Sequence, residues 1–184
     1  GMVCDNSSPA ITNCVFSGNR ANDGGALLNT NASATELINC TFAGNIASVT
    51  GGAIRNGNSS SPVIINCVIW NNWVGFAADA IYNADAGSVP VVNYCVVQGG
   101  YTGTGNINTN PLFVNALAPS FAPTVVGDYR VQRCGPCINT GNNSYVPGSI
   151  NNDLDYTSRI NYGTVDIGAY ELQLSLAVPD ANGI

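Results

Sequence analysis

The chain has 184 residues, a net charge of −6 and a pI of about 4.1, and only 9% of its residues are charged. An acidic chain is a poor partner for nucleic acid or an anionic membrane surface, because both would repel it. It contains no histidine and no lysine, which leaves few side chains suited to general acid–base catalysis. Its apolar runs are also shorter than the roughly 18 residues that a membrane-spanning helix needs.

A short phrase built around a cysteine recurs four times in the first half of the chain. The steps between these cysteines are 26, 27 and 28 residues, and the four are Cys14, Cys40, Cys67 and Cys95. An aliphatic residue stands three positions before each cysteine, and a large apolar residue stands two positions after it. A fixed period of this length is typical of structural units that stack on one another.

Each repeat predicts short β-strands, because its apolar blocks are rich in β-branched residues and are bounded by Gly, Asn, Ser or Pro. Asn13, Asn39 and Asn66 precede the first three cysteines. They suit a corner in the left-handed region of backbone space, and such a corner explains why the apolar pattern shifts by one residue there. Each period thus supplies about three strands. We predict an all-β fold, a right-handed parallel β-helix (a pectin-lyase-like solenoid) of about four coils over residues 3–100.

Stacked coils place equivalent residues about 4.8 Å apart, so that like residues form ladders. We expect the cysteine ladder to consist of free, buried thiols. We expect two apolar ladders inside the coils, formed by Ile11, Leu37, Ile64 and Val92 and by Phe16, Phe42, Ile69 and Val97. Stacked asparagine amides are expected to hydrogen-bond along the axis.

The second half of the chain lacks the repeat. We predict that residues 101–172 are a capping segment of irregular strands and loops in the same domain, and that residues 173–184 are a tail. The chain is expected to be the C-terminal part of a larger protein. Its first coil then has an open edge, and self-association through that edge is expected because unpaired strands favour it.

Two pairs of motifs in the coils resemble a known family. Residues 16–19 with 24–27, and residues 42–45 with 51–54, resemble the FxxN and GGAI repeats of polymorphic outer-membrane proteins. Those proteins are right-handed parallel β-helices of bacterial surfaces with adhesin roles. The resemblance therefore implies an extracellular or cell-surface location.

The second half is similar to the C-terminal region of the β-helix proteins described as choice-of-anchor Q. The similar segments are residues 110–114, 127–131, 137–141, 153–155, Arg159 and residues 165–171. The fourth coil lacks both asparagine ladders, and Tyr156 stands where that family usually has glycine. This resemblance implies a surface location and no particular chemistry.

One segment carries closely spaced oxygen ligands. Asp153 and Asp155 follow two asparagines and alternate along the chain, an arrangement that calcium can use. The alternative is a turn whose carboxylates accept hydrogen bonds from backbone amides or pair with Arg159. We predict that the protein needs no cofactor, and calcium at Asp153 and Asp155 is the candidate metal.

A second set of residues could bind carbohydrate. The repeats place Leu28, Arg55 and Tyr82 on one outward ladder, and Trp70 and Trp73 follow in the third coil. Aromatic faces stack on sugar rings, and an arginine can act as the base of a β-helix lyase. No carboxylate shares that ladder, so a calcium-assisted lyase site is incomplete. The candidate ligand-binding residues are Arg55, Trp70, Trp73 and Tyr82.

The sequence therefore favours a non-catalytic extracellular or cell-surface β-helix module with a structural or adhesive role. Its partner is expected to be a carbohydrate or another cell-surface ligand. The alternative is a module that binds or cleaves polysaccharide, of the lyase or glycosidase type. Asp166 and Glu171 are the two carboxylates that hydrolysis would use, although their segment is typical of a strand that closes the stack.

Overall fold

The structure is a computed structural model that describes residues 1–173, so the predicted tail lies outside the described residues except for Gln173. A strand β1 (Met2–Asp5) precedes the first coil. The first coil contains β2 (Ala10–Thr12), β3 (Val15–Ser17), β4 (Arg20–Asp23) and β5 (Leu27–Thr30). The second contains β6 (Glu36–Ile38), β7 (Thr41–Ala43), β8 (Ile46–Thr50) and β9 (Ile54–Asn56).

The later coils are less regular. The third contains β10 (Val63–Ile65), β11 (Val68–Trp70), β12 (Trp73–Val74), β13 (Ala77–Ala78) and β14 (Ile81–Asn83). The fourth contains β15 (Val91–Asn93) and β16 (Val96–Val97). Beyond the coils lie β17 (Phe113–Asn115), a 3₁₀ turn at Pro119–Phe121, β18 (Asp128–Val131) and a second 3₁₀ turn at Asn143–Tyr145.

Equivalent strands of successive coils pair in parallel and build four sheets. Sheet A has the order β1-β5-β9-β14, sheet B has β2-β6-β10-β15, and sheet C has β3-β7-β11-β16. Sheet D has the order β4-β8-β12-β13, and its last pair is antiparallel. The chain is thus a parallel β-solenoid of about four turns, as predicted.

The predicted number of strands per coil is wrong, because the first three coils contribute to four sheets instead of three. The extra sheet is sheet D, whose strands β4, β8 and β12 share no apolar pattern in the sequence. Arg20, Ile46 and Trp73 are in register there. Because the residue type changes from coil to coil at these positions, the apolar pattern alone did not predict this strand.

The predicted interior ladders are confirmed. Parallel pairing aligns Ile11 with Leu37, and the same register continues to Ile64 and Val92. The aromatic ladder is also in register, and the rings of Phe16 and Phe42 stack with their centroids 4.8 Å apart. The four ladder cysteines pack into the same core cluster as free thiols. Burial raises the pKa of Cys40 and Cys67 well above the ordinary thiol value.

The asparagines behave differently at different corners. Asn13, Asn39 and Asn66 have φ near +50°, as predicted, and Tyr94 adopts the same geometry in the fourth coil at φ 51°. Their amides do not hydrogen-bond to one another, which corrects the expectation for this ladder. Two other ladders do hydrogen-bond along the axis: Asn19, Asn45 and Asn72, and Asn29, Asn56 and Asn83.

The far end of the stack is covered by residues 101–108, which we call the end segment. Tyr101 packs against the core cluster, and its hydroxyl accepts a hydrogen bond from Asn83 Nδ2 at 2.9 Å. Ile107 forms a parallel bridge with Val96. The last apolar ladder residues, Val92 and Val97, are buried beneath these contacts, and the capping role of residues 101–172 stays a prediction.

Residues 111–171, which we call the flanking segment, take a different path. They run beside the stack and cover the outer side of sheet C, where Ala43, Val68 and Val96 pack with Phe113 and Ile167. The corner asparagines are bound by this segment: Asn13, Asn39 and Asn66 each donate a hydrogen bond from Nδ2 to one of its carbonyls. The flanking segment therefore joins the first three coils laterally.

The near end of the stack is partly covered. β1 pairs with β5, and the side chain of Cys4 in β1 is buried in the core cluster. In the described part of the chain, β2, β3 and β4 each pair with a strand on one side only. Among residues 1–173 we find no helix with the length and apolar character needed to cross a bilayer.

Candidate functional site

A groove runs along the outer side of sheet D. Its volume is about 670 Å³, within the range of small-molecule sites. Ile46 and Ala47 line it from β8, the strand between β4 and β12, and Trp73 and Phe76 line it from the third coil. Phe76 is 98% exposed at the turn between β12 and β13, so its ring is available to a ligand.

Polar groups line the remainder of this sheet D groove. Ser48 Oγ donates to Asn22 Oδ1 at 3.1 Å. Within residues 1–173 the Asn22 amide nitrogen has no hydrogen-bond acceptor, so it can donate to a ligand. Arg20 lies on the opposite side of Ile46 from Trp73 in the register of the sheet. Ser120 adds a hydroxyl from the flanking segment. An aromatic wall facing hydrogen-bonding groups suits a sugar, which has apolar C–H faces and polar edges.

Arg55 and Tyr82 lie on another side of the molecule. They are in register with Leu28 on sheet A, as the sequence predicts. Tyr82 is 39% exposed, whereas Arg55 Nε lies 3.5 Å from Asp23 Oδ1. The sequence interpretation missed Asp23 as the charge partner of Arg55, because the two residues lie one coil apart.

Trp70 lies at the end of β11 in sheet C and packs partly against the flanking segment. It lines a separate shallow pocket with Asn110, Leu112 and Gln132. The four predicted ligand-binding residues are therefore distributed over three sheets, and only Trp73 lies in the sheet D groove.

The two aspartates of the predicted metal site have different partners. Asp153 is buried, and its Oδ1 accepts hydrogen bonds from the backbone amides of Asp155 and Thr157. Asp155 instead forms a bidentate pair with Arg130, with N–O distances of 2.6 and 2.8 Å. Among residues 1–173, no group of three or more His, Cys, Asp or Glu side chains could hold a metal ion. Calcium, which can also use amide and backbone oxygens, stays a prediction.

Asp166 and Glu171 form part of a buried network around Arg159. The Arg159 side chain is 1% exposed, and its Nη2 lies 2.9 Å from Glu171 Oε2. Burial raises the pKa of Glu171 to about 7, and repulsion from Asp166 acts in the same direction. Burial likewise raises the pKa of Asp166. Every oxygen of the two carboxylates accepts a hydrogen bond from within the chain, so this network holds the flanking segment together.

Several groove residues were missed from the sequence. Arg20, Ile46 and Trp73 stand six positions after successive ladder cysteines, and Asn22 and Ser48 stand eight positions after theirs. These offsets could have identified one shared surface, although the residue types differ from coil to coil. Ser120 has no such signal, because it lies outside the repeats.

Comparison with known families gives one match. The model of the Chlamydia polymorphic membrane protein repeat matches residues 13–30 and 39–57, about a fifth of the chain and most of the first two coils. These segments contain the FxxN asparagine ladder and the GGAI blocks, so the similarity concerns the repeat. No curated protein and no solved structure matches the chain.

Proposed function

We propose that this chain is a surface-associated β-helix module with an adhesive role, and that it binds glycans in the sheet D groove. The observation that carries the proposal is the pair Trp73 and Phe76, which present aromatic surface beside Asn22 and Ser48. The surface location is supported by the polymorphic membrane protein repeat. The coils supply a support of paired parallel strands, from which the hairpin of β12 and β13 presents Phe76.

Glycan binding can be tested with the hexasaccharides of cellulose, xylan, mannan and chitin by titration calorimetry. We expect at least one of them to bind, and we expect Trp73→Ala to weaken its affinity roughly five- to tenfold through the loss of stacking. Phe76→Ala should weaken the same ligand less. Tyr82→Ala is the matched control, because it removes an exposed aromatic ring from sheet A.

Two results would contradict this assignment. Affinity that survives Trp73→Ala but is lost in Tyr82→Ala would place the site on the predicted ladder of Arg55 and Tyr82. If none of the four hexasaccharides and no acidic oligosaccharide binds, the proposal that the chain binds glycans is wrong.

A polysaccharide-cleaving role is the second candidate. A β-eliminating lyase needs a base beside the C5 proton of a uronate, and Arg55 is the predicted base. Its guanidinium is already paired with Asp23 at 3.5 Å, an interaction that it would have to give up to reach a substrate proton. We therefore expect no unsaturated product from polygalacturonate at neutral pH with calcium. Product formation that disappears in Arg55→Ala would make the chain a lyase.

We also propose that residues 110–171 are a choice-of-anchor Q region. The support is that the motif residues Asp153, Arg159, Asp166 and Glu171, which come from three separate motif segments, meet in one hydrogen-bonded network. Self-association through β2, β3 and β4 is proposed as well, because each of these strands pairs with a strand on one side only in the described chain and unpaired strand edges favour association. Sedimentation velocity tests it, and a strictly monomeric profile at high concentration would oppose it.

A further inference from the structure

Arg20 differs from the other residues of the sheet D groove in carrying a charge. Of the described residues that line the groove, it alone is charged. No carboxylate among residues 1–173 lies within 4.0 Å of its guanidinium. The same holds for Arg133, which does not line the groove, whereas Arg55, Arg130 and Arg159 each have such a partner. An exposed cation without a partner is notable in a chain whose net charge is −6.

The guanidinium of Arg20 is also held in place. Its Nε donates to the carbonyl of Ala122 in the flanking segment at 2.8 Å. In the described chain, its two terminal nitrogens have no hydrogen-bond partner. Those nitrogens form a planar fork whose geometry matches the two oxygens of a carboxylate or a sulfate. The fork is therefore oriented before any ligand arrives.

The register of sheet D sets the distance between this fork and the aromatic wall. Arg20 and Trp73 pair with the same residue, Ile46, from opposite sides. Two strand spacings separate them, which is about 10 Å. A ligand that stacks on Trp73 and extends across Ile46 by about two sugar rings therefore reaches the free edge of Arg20.

We propose that the sheet D groove selects an acidic sugar, with one ring on Trp73 and an oxyanion substituent on the Arg20 fork. This rests on the proposed glycan-binding function and adds the class of ligand. Uronate carboxylates and sulfate esters share the required chemistry. The net negative charge acts at longer range and is screened beyond about 8 Å at physiological ionic strength, whereas the contact with Arg20 is direct.

The test compares ligands that share one sugar backbone and differ in whether it carries an oxyanion. A galacturonate hexasaccharide and its methyl ester have the same backbone, and a sulfated galactan hexasaccharide and its desulfated form provide the sulfate pair. We expect the charged member of at least one pair to bind about tenfold more tightly at low salt, as for a charge-assisted bidentate contact. The pair that shows the preference identifies the oxyanion. Added salt should reduce the preference.

Substitutions assign the preference to a residue. Arg20→Gln should abolish the difference between the charged and uncharged ligands while leaving Trp73-dependent binding of the uncharged form. Arg20→Lys should restore only part of it, since a lysine lacks the fork. Arg133→Gln is the matched control, because it removes the charge of an exposed arginine that does not line the groove. The melting temperature of each variant is measured as well, to check that the chain still folds without the hydrogen bond from Arg20 to Ala122.

The outcomes separate the two proposals. Equal affinity for both members of each pair, or a preference that survives Arg20→Gln, overturns the acidic-sugar inference, while loss of binding in Trp73→Ala still supports the groove. A preference lost equally in Arg133→Gln would reflect overall charge and also overturn the inference. Absence of binding by every acidic and neutral oligosaccharide overturns both proposals.

Discussion

The coils and the flanking segment bury their residues by different means. The coils stack identical or similar neutral side chains, and their buried polar residues are Asn, Ser and Thr. In the described chain, all the buried charged residues lie in the flanking segment: Asp153, Arg159, Asp166 and Glu171. The coils thus depend on repeated contacts between neighbours, whereas the flanking segment depends on one buried network that closes on itself.

This difference has a consequence for stability. A ladder can lose one member and keep its other contacts, since each coil touches only its neighbours. A buried charge that loses its partner leaves the others uncompensated. We therefore expect a substitution in the coils to lower the free energy of unfolding in proportion to the side-chain volume removed. In the flanking segment, the loss should depend on which charged side chain is removed.

The largest expected effect is in the coils. Phe42 is fully buried and its ring stacks on Phe16, so Phe42→Ala should lower the free energy of unfolding by about 3–5 kcal/mol. Chemical denaturation gives this value. Phe76→Ala removes the same side chain from an exposed position and should cost less than about 0.5 kcal/mol. A loss below about 1 kcal/mol for Phe42→Ala would contradict its place in the ladder.

The flanking segment should be nearly as sensitive at Arg159. Arg159→Met leaves Glu171 without its cation and also removes the hydrogen bonds to the carbonyls of Gly168 and Tyr170. We expect a cost of about 3 kcal/mol. Arg130→Met is the matched control, because the Arg130 side chain is 50% exposed and such pairs contribute about 1 kcal/mol or less. Equal losses in the free energy of unfolding for the two variants would mean that the buried ion pair contributes no more than the exposed one.

The same network should make stability depend on pH. The pKa of Glu171 is raised from 4.5 to about 7 in the folded chain, so the folded state holds a proton that the unfolded state has lost between these values. This contribution to stability is complete below about pH 4.5 and is lost as the pH rises through about 7. The chain has no histidine, so no histidine titration overlaps with this window.

We therefore expect the free energy of unfolding to fall by on the order of 2 kcal/mol between pH 5 and pH 8. Urea titrations at several pH values measure it. In Glu171→Gln the side chain cannot titrate, and the slope should become much flatter. If the free energy of unfolding of the parent chain rises over this range instead, Arg159 and the amide donors lower the pKa of Glu171 by more than burial raises it.

The comparison also explains what the sequence could predict. The coils were predictable because residues such as Leu37 and Ile64 recur at one offset and stack in register. The path of the flanking segment was not, since contacts such as Asn39 with Asp166 span 127 residues and have no periodic counterpart. Of the four predicted ligand-binding residues, only Trp73 lies in the candidate site. Arg20 and Ser120 became neighbours of Trp73 through sheet D and the flanking segment, and neither was predicted.

The smallest expected effect concerns calcium, and it tests whether the flanking segment needs any ligand besides its own residues. The oxygens of Asp153 already accept hydrogen bonds from amides, including that of Glu171, and Asp155 is paired with Arg130. Calcium would have to replace these contacts. We therefore expect the melting temperature in millimolar calcium to equal that in sodium chloride of the same ionic strength. Asp155→Asn is the informative variant, because it weakens a half-exposed pair worth about 1 kcal/mol or less. A calcium-specific rise in melting temperature that disappears in Asp155→Asn would instead show that the aspartates bind the ion and that the flanking segment is stabilised from outside.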